Sequence, residues 1–203
     1  MTELSTALAA LLLPLEIEEK LGHFKSLFMK WNRNINLSAA RSESDLDLHI
    51  VDSLHAVPHL RTASGQPLLP SPARVLDVGA GGGLPAVVAA IALPAIHVTA
   101  LEPVHKKLAF LRTAARELSL SNLEPLAERL DAHARHDYHA AMSRATFDLR
   151  EWLELGIAYI RPGGFVVGFE AAPRKDLPAG IQRTAYVLSN KTRSIVTLQR
   201  PGS

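Results

Sequence analysis

One segment limits the folds open to this chain more than any other. Residues 74–78 form a short, mostly aliphatic run, and four of the next five residues, 79–83, are glycine. The run predicts a buried strand, and the apolar stretch at 84–92 predicts a helix directly after the glycines. A strand that enters a helix through a glycine-rich turn is typical of an α/β sheet whose backbone N–H groups face a ligand.

The rest of the chain alternates between strand and helix patterns. Further strands are predicted at 97–102, 123–127, 140–144 and 164–170, and helices at 104–119 and 149–160. Two final runs, 185–188 and 194–198, can pair as a terminal hairpin. This spacing predicts an α/β fold with a mostly parallel sheet, covered on both faces, and antiparallel pairing at the C-terminal end.

The first sixty residues have a purely helical pattern. Apolar side chains recur at spacings of three and four at Leu21, Phe24, Leu27, Phe28 and Trp31. A second helix is predicted at 44–59, with Ser44 as its N-cap and an apolar face of Leu46, Ile50, Leu54 and Val57. Residues 62–73 collect three prolines and predict a connection. We therefore expect a helical extension at 1–62 and a core at 73–203, packed as one unit.

Composition excludes several classes of protein. The 203 residues contain no cysteine, which excludes disulfides, cysteine-ligated metal sites and a thiol nucleophile. No base precedes the apolar N-terminal stretch, and Pro14 and Glu16 end it early, so a short packed helix is predicted instead of an export signal. We expect a cytoplasmic protein. His133, His136 and His139 come without a supporting metal motif, and no metal site is predicted.

Positive charge is concentrated near the end of the chain. The net charge is +2, yet residues 174–200 hold six bases and one acid. This segment is either a solvated basic face or a contact for a polyanionic partner.

The glycine spacing and a later acid indicate the kind of ligand. Glu102 ends the second predicted strand, where a carboxylate can accept hydrogen bonds from both hydroxyls of a ribose. The glycines follow G-x-G-x-G, and the third glycine of the dinucleotide pattern would fall at Leu84. With Asp77 inside the strand, this loop resembles the S-adenosylmethionine loop of class I methyltransferases, and the resemblance favours S-adenosylmethionine over NAD. Asp131, beside Leu130 after the third strand, either faces the adenine or caps a helix.

Four separated motifs together resemble one family. They are the residues at 30–38, the residues at 49–54, the glycine loop with Leu84-Pro85, and Ser143-Arg144-Ala145. The chain resembles ribosomal RNA small subunit methyltransferase G, the glucose-inhibited division protein B family, over about residues 20–170. The resemblance implies a Rossmann-like class I methyltransferase that uses S-adenosylmethionine to methylate N7 of one guanine in bacterial 16S rRNA. Its implied partner is the small ribosomal subunit or an assembly intermediate, and it would act as a monomer.

The resemblance also implies roles for particular residues. The cofactor side would comprise Gly79, Ala80, Gly81, Gly83, Leu84, Glu102, Leu130 and Asp131. Arg144 would lie near both the cofactor and the target base, as the catalytic residue and a cofactor contact. The acceptor side would comprise Asn34, Asn36, His49, Asp52 and Ser53.

The chain departs from the family in its C-terminal strands, which lack the usual His-containing ending, and at two positions near the site. Gly82 stands where the family usually has proline, which predicts a more mobile turn, and Glu170 stands where it usually has lysine. An acid in place of that lysine leaves the target open, since the same scaffold can serve another RNA or a small molecule. A non-enzymatic RNA-binding assembly factor is the remaining alternative.

Overall fold

A computed structural model of the chain describes residues 2–14, 16–60 and 73–202. The predicted connection at 62–73 lies outside the described residues except for Ala73. The strands are β1 (Ala73–Val78), β2 (Ile96–Leu101), β3 (Leu123–Leu126), β4 (Tyr138–Ser143), β5 (Ile160–Glu170), β6 (Ile181–Leu188) and β7 (Lys191–Gln199). The helices are α1 (Glu3–Ala10), α2 (Glu16–Ile35), α3 (Glu43–Leu54), α4 (Ala86–Ala92), α5 (His105–Glu117) and α6 (Leu149–Gly156).

The seven strands form one sheet, whose order is β3-β2-β1-β4-β5-β7-β6. Strands β1 to β5 pair in parallel, and β7 runs antiparallel between β5 and β6. The predicted fold and terminal hairpin are therefore confirmed. Strand order reverses between β1 and β4, and a crevice at such a switch point is where open α/β sheets bind ligands.

The apolar stripe of α2 packs against α5, as its spacing predicts. Phe24, Phe28 and Trp31 surround Phe110, with ring centroids 5.7–6.3 Å from it. Aromatic pairs at this separation add to the burial of their surfaces. Side chains of the N-terminal helices and of the sheet share one continuous apolar cluster.

The predicted start of α3 is wrong by two residues. Ser42, and not Ser44, is the N-cap: its hydroxyl accepts from the Asp45 N–H at 3.1 Å, while the Asp45 carboxylate accepts from the Ser42 N–H at 3.0 Å. This reciprocal capping box satisfies two backbone donors that a helix start leaves unpaired. The helix also ends before residue 59, because Pro58 has no N–H and lies in the 3₁₀ turn Val57–Leu60.

The N-terminal stretch forms the short packed helix α1, which buries Leu4 and Leu8. Among the described residues, no helix has the length and apolar character needed to cross a bilayer.

Candidate active site

A cavity of about 830 Å³ lies at the carboxyl ends of β1, β4 and β5. The glycine loop forms one wall, residues 37–39 and α3 form another, and the loops after β4 and β5 complete it with the terminal hairpin. Seven of the predicted site residues line it: His49, Asp52, Gly79, Ala80, Gly81, Leu84 and Arg144.

The glycine loop has a conformation that few other residues could adopt. Gly79, Gly81 and Gly83 have φ angles of +71°, +55° and +81°. A Cβ on Gly79 would overlap the Thr146 side chain from the loop after β4, so only glycine fits there. A Cβ on Gly83 would overlap Val87, and Gly83 serves helix packing without lining the cavity.

The Glu102 carboxylate holds the glycine loop against the end of β2. Its Oε2 accepts from the Gly81 N–H and its Oε1 from the Val104 N–H, each at 2.8 Å, and the residue is 4% exposed. Each carboxylate oxygen can accept a second hydrogen bond. The carboxylate is thus fixed by the backbone while keeping acceptor capacity for a ligand.

Asp77 is a fully buried carboxyl with one unused oxygen. Its Oδ2 accepts from the Ala86 N–H at 3.0 Å, and its Oδ1 has no hydrogen-bond partner among the described residues. Burial raises the pKa of Asp77 to about 7, opposed by the Ala86 N–H and by the positive charge of Arg144. A buried unpaired acceptor indicates a donor that the polypeptide does not supply.

A smaller cavity of about 380 Å³ adjoins the first along the glycine loop. Gly79, Thr146 and Phe147 line both cavities. Leu130 and Asp131 line the smaller one together with Pro103, Leu101 and Tyr159. The aromatic rings of Phe147 and Tyr159 and the neighbouring leucines make the smaller cavity suited to a flat apolar ligand group.

The two predicted residues of that cavity have partners within the protein. The Leu130 carbonyl accepts from the Tyr159 hydroxyl at 2.8 Å, and the Leu130 N–H has no hydrogen-bond partner among the described residues. The Asp131 carboxylate is exposed and lies 3.4 Å from the Arg129 guanidinium. Asp131 caps no helix: it lies inside a 3₁₀ turn whose N-cap is Arg129.

Across the main cavity, Arg144 is held by two polar groups. Its Nη1 donates to the Asp52 carboxylate at 3.1 Å, and its Nε donates to the Leu84 carbonyl at 3.3 Å. Its Nη2 has no partner among the residues the structure describes. The side chain is 15% exposed, so it keeps one guanidinium edge for an anionic ligand.

Sequence reasoning missed two partners of Asp52. The Tyr186 hydroxyl donates to the Asp52 carboxylate at 2.7 Å, and Arg193 donates to the same oxygen at 3.3 Å. Tyr186 also stacks on His55, with ring centroids 3.8 Å apart. Burial and the Asp52 charge raise the pKa of Tyr186, so the phenol stays protonated and can donate. An acid on the buried side of α3 indicates the need for such partners, but nothing in the sequence identifies them.

His49 and Ser53 support this arrangement from α3. The His49 Nδ1 lies 3.5 Å from Arg144 Nη1, and burial together with the Arg144 charge lowers the pKa of His49. The ring is therefore neutral at pH 7. Ser53 is buried, and its hydroxyl donates to the His49 carbonyl at 2.8 Å. Ser53 thus braces the helix without lining the cavity.

Asn34 and Asn36 lie outside the cavity wall. Both are exposed, and Asn36 adopts a φ of +53° just after α2. Asn32 shapes this turn instead: its side-chain amide donates to the Ala40 carbonyl at 2.9 Å and accepts from the Ser38 N–H at 3.0 Å. The turn carries residues 37–39 into the cavity wall.

Both departures near the site are accommodated by packing. Gly82 is buried, and a Cβ there would overlap the Phe28 ring and approach Leu37, so the turn is tightly packed at this position. Glu170 is 3% exposed, and its carboxylate accepts from Arg183 at 2.7 and 3.0 Å and from the Arg174 N–H at 2.9 Å. An acid at position 170 is matched by these donors and does not face solvent.

Three of the six bases in the C-terminal segment are paired with carboxylates within the fold. Arg174 pairs with Asp148 and Asp176, Arg183 with Glu170, and Arg193 with Asp52. Arg200 donates to the Ile160 carbonyl at 2.5 Å. Of its six bases, Lys175 and Lys191 alone have no such partner among the described residues.

The switch-point crevice, the glycine loop and the acid after β2 define a class I methyltransferase. Solved structures agree on the fold: the chain superposes on TrmI, a tRNA (m1A58) methyltransferase from Aquifex aeolicus, with a TM-score of 0.55 at 14% identity, covering 75% of this chain and 69% of that one. For TrmN from Thermus thermophilus the TM-score is 0.52 at 24% identity, and the superposition covers 64% of this chain and 44% of that one.

The family follows from sequence comparison. The family model described as "rRNA small subunit methyltransferase G" matches residues 17–201. Two relatives carry the name ribosomal RNA small subunit methyltransferase G. The Bordetella avium protein is 38% identical to this chain, and the match covers 82% of this chain and 75% of the relative. The Methylobacillus flagellatus protein is 33% identical, and the match covers 87% of this chain and 83% of the relative. The chain belongs to the rRNA small subunit methyltransferase G family.

Proposed function

We propose that this enzyme transfers a methyl group from S-adenosylmethionine to N7 of a guanine in 16S rRNA. The observation that carries the proposal is one continuous crevice that joins the glycine loop to the Asp52–Arg144 pair. The names of its relatives, which specify small-subunit rRNA, support the substrate. We further propose that the helical extension and the core work as one unit, since α3 supplies Asp52 to a site built by the sheet. We also propose that the protein acts as a monomer in the cytoplasm.

The residues present fit S-adenosylmethionine. The unpartnered Asp77 Oδ1 matches the ammonium group of the methionine portion, and the fixed Glu102 carboxylate matches two ribose hydroxyls. The smaller cavity beside Leu130 suits the adenine, and the free Arg144 edge suits the carboxylate of the methionine portion. When bound, S-adenosylmethionine supplies an electrophilic methyl group.

The acceptor needs positioning more than it needs proton transfer. Guanine N7 carries an in-plane lone pair and no proton, so no general base is required. Alignment of the two reactants then provides much of the rate enhancement. Both Asp52 oxygens are engaged by cations or a hydroxyl, so its part is to hold Arg144 and not to offset charge on the purine.

RNA geometry limits which guanines can reach this crevice. In a regular A-form helix the major groove that exposes N7 is deep and narrow, and side chains do not enter it. The target therefore lies in a loop, a distorted helix or an assembly intermediate. Free guanosine is expected to be a poor substrate and a partly assembled small subunit a good one.

The decisive experiment maps 7-methylguanine in 16S rRNA from cells with and without the gene. One modified guanine should lose its methyl group when the gene is deleted, and an unchanged map would reject 16S rRNA as the substrate. Calorimetry with S-adenosylmethionine and NAD tests the cofactor independently. Tight binding of NAD would reject the methyl donor.

A further inference from the structure

The strongest uncompensated positive charge lies on α2 and α5, outside the basic C-terminal segment. Residues 20–42 contain five bases and no acid, and residues 103–116 contain four bases and no acid. The second half of α2 falls in the first stretch and most of α5 in the second. The two helices pack through Trp31 and Phe110, so their charges occupy one region of the molecule.

Few of these bases have an acidic partner. Lys25 pairs with Glu43 and Asp47, and Arg116 pairs with Glu117. The other seven form no ion pair within the described residues. In the C-terminal segment the situation is reversed, since Arg174, Arg183 and Arg193 are all held by carboxylates. A cation already bound to a carboxylate contributes little to the attraction of a polyanion.

Part of this charge reaches the main cavity. Lys107, in the first turn of α5, lines the cavity beside Leu37 and Ser38, which follow the end of α2. Lys106 is its exposed neighbour, and Lys30 and Arg33 are exposed on the last turns of α2. These four residues are named the α2–α5 basic surface.

We propose that the α2–α5 basic surface binds the phosphates of the RNA strand that carries the target guanine. This inference rests on the proposed function and deepens it by locating the RNA backbone. Lysine and arginine at the edge of a cleft bind phosphates through charge alone and without reading sequence. Lys107 holds the strand at the cavity mouth, and Lys30, Arg33 and Lys106 extend the contact over the neighbouring surface.

The test compares three double variants that each remove two positive charges. They are Lys106→Gln/Lys107→Gln, Lys30→Gln/Arg33→Gln, and the control Lys175→Gln/Lys191→Gln, whose lysines are the unpaired ones of the C-terminal segment. Binding of partly assembled, unmethylated small subunits is measured over a range of salt concentrations. Calorimetry with S-adenosylmethionine checks that each variant keeps its fold and cofactor site.

Release of counterions sets the expected size of the effect. Each lost phosphate contact should lower affinity roughly five- to eightfold at about 0.1 M salt and reduce the slope of log K against log salt by about 0.7–0.9. The Lys106→Gln/Lys107→Gln variant should therefore lose about 30-fold in RNA affinity with unchanged affinity for S-adenosylmethionine. The control should lose less than about twofold.

Two results would overturn the assignment. A larger loss in the control than in both α2–α5 variants would locate the RNA on the terminal hairpin. A loss of S-adenosylmethionine affinity in Lys106→Gln/Lys107→Gln, with RNA binding intact, would assign these lysines to the cofactor. Failure of the proposed function is a separate outcome: the wild type would bind RNA through this surface while the 7-methylguanine map stayed unchanged.

Discussion

The Asp52 carboxylate accepts a hydrogen bond from the Arg144 guanidinium at 3.1 Å, across 92 positions of the chain. Both side chains are largely buried, at 5% and 15% exposed. Burying two charges is favourable only when their remaining hydrogen-bonding groups are also satisfied. Tyr186 and Arg193 provide this for Asp52, so the terminal hairpin contributes to the position of Arg144.

Replacing Asp52 should damage both stability and activity. In Asp52→Asn, Arg144 and Arg193 lose the charge that neutralises them, and the free energy of unfolding should fall by about 3 kcal/mol. Misplacement of Arg144 should lower kcat for 16S rRNA methylation at least about tenfold. Urea denaturation and single-turnover methylation measure the two effects.

Tyr186→Phe removes a single hydrogen bond to Asp52 and leaves the charges of the site unchanged. It keeps the stack on His55 and removes only the hydroxyl donor, at an expected cost of about 1–2 kcal/mol in unfolding free energy. We expect kcat to fall with the KM for S-adenosylmethionine unchanged. Val187→Ala, at an exposed position on the same strand, is the matched control. Equal kinetics in both variants would show that the hydroxyl has no positioning role.

The glycine loop should distinguish two neighbouring substitutions. Gly79→Ala places a methyl group into Thr146 in addition to straining a φ of +71°, and it should abolish S-adenosylmethionine binding in calorimetry. Gly81→Ala strains a similar φ of +55°, but its Cβ would meet nothing closer than the Gly79 carbonyl oxygen at 3.7 Å. It should reduce stability by about 1 kcal/mol and retain binding. Equal losses would assign the effect to backbone strain alone.

Asp77 should make cofactor binding depend on pH near neutrality. With its pKa raised to about 7, the carboxyl is largely protonated at pH 6 and ionised at pH 8. Only the ionised form can pair with an ammonium group, so affinity for S-adenosylmethionine should rise between pH 6 and pH 8 with release of protons. Calorimetry in two buffers of different ionisation enthalpy measures that release, and Asp77→Asn should remove it.

The same group should lower stability as pH rises. Because its folded-state pKa lies above the unfolded value, the folded chain binds the extra proton between about pH 4 and pH 7. Its stabilising contribution is complete at low pH and is lost as pH rises through 7, by at most about 4 kcal/mol. Urea denaturation of Asp77→Asn should show a correspondingly flatter pH profile. An identical profile in both proteins would contradict the raised pKa.

Gly82 should resist substitution because of Phe28. Gly82→Ala brings a methyl group into the Phe28 ring, and overpacking of this kind costs about 1–3 kcal/mol. Phe28→Leu makes room, so the double variant should be less destabilised than the sum of the two single variants. A double-mutant cycle from urea denaturation gives this coupling energy. Strict additivity would mean that the two side chains do not compete for space.

Most of the helices and strands could be predicted from periodic apolar patterns, because each pattern reflects which side chains of that element are buried. The stripe on α2 and the alternation from β1 to β5 follow directly from the burial of one face or of a whole strand. The predicted cap of α3 is wrong by two residues because the two serines and two acids at 42–45 offer alternative caps, and only the fold selects Ser42.

The candidate site was predictable where motifs are contiguous. The glycine loop, Asp52 and Arg144 meet in one cavity, as the motifs indicate. Tyr186 and Arg193 were missed because their contacts with Asp52 span 134 and 141 positions and have no local signature. In the C-terminal segment, counting charges does not show which bases are already paired, because partners such as Glu170 and Asp52 are set by the fold.

The order in which the chain is synthesised determines when Asp52 can meet its partners Tyr186 and Arg193. Asp52 leaves the ribosome well before Tyr186 and Arg193, which follow it by 134 and 141 positions. Domains generally begin to fold from the N-terminal side during translation, but an acid buried without these partners would be unstable. A chain that stops before β6 is therefore expected to leave the Asp52 carboxylate without its contacts to Tyr186 and Arg193.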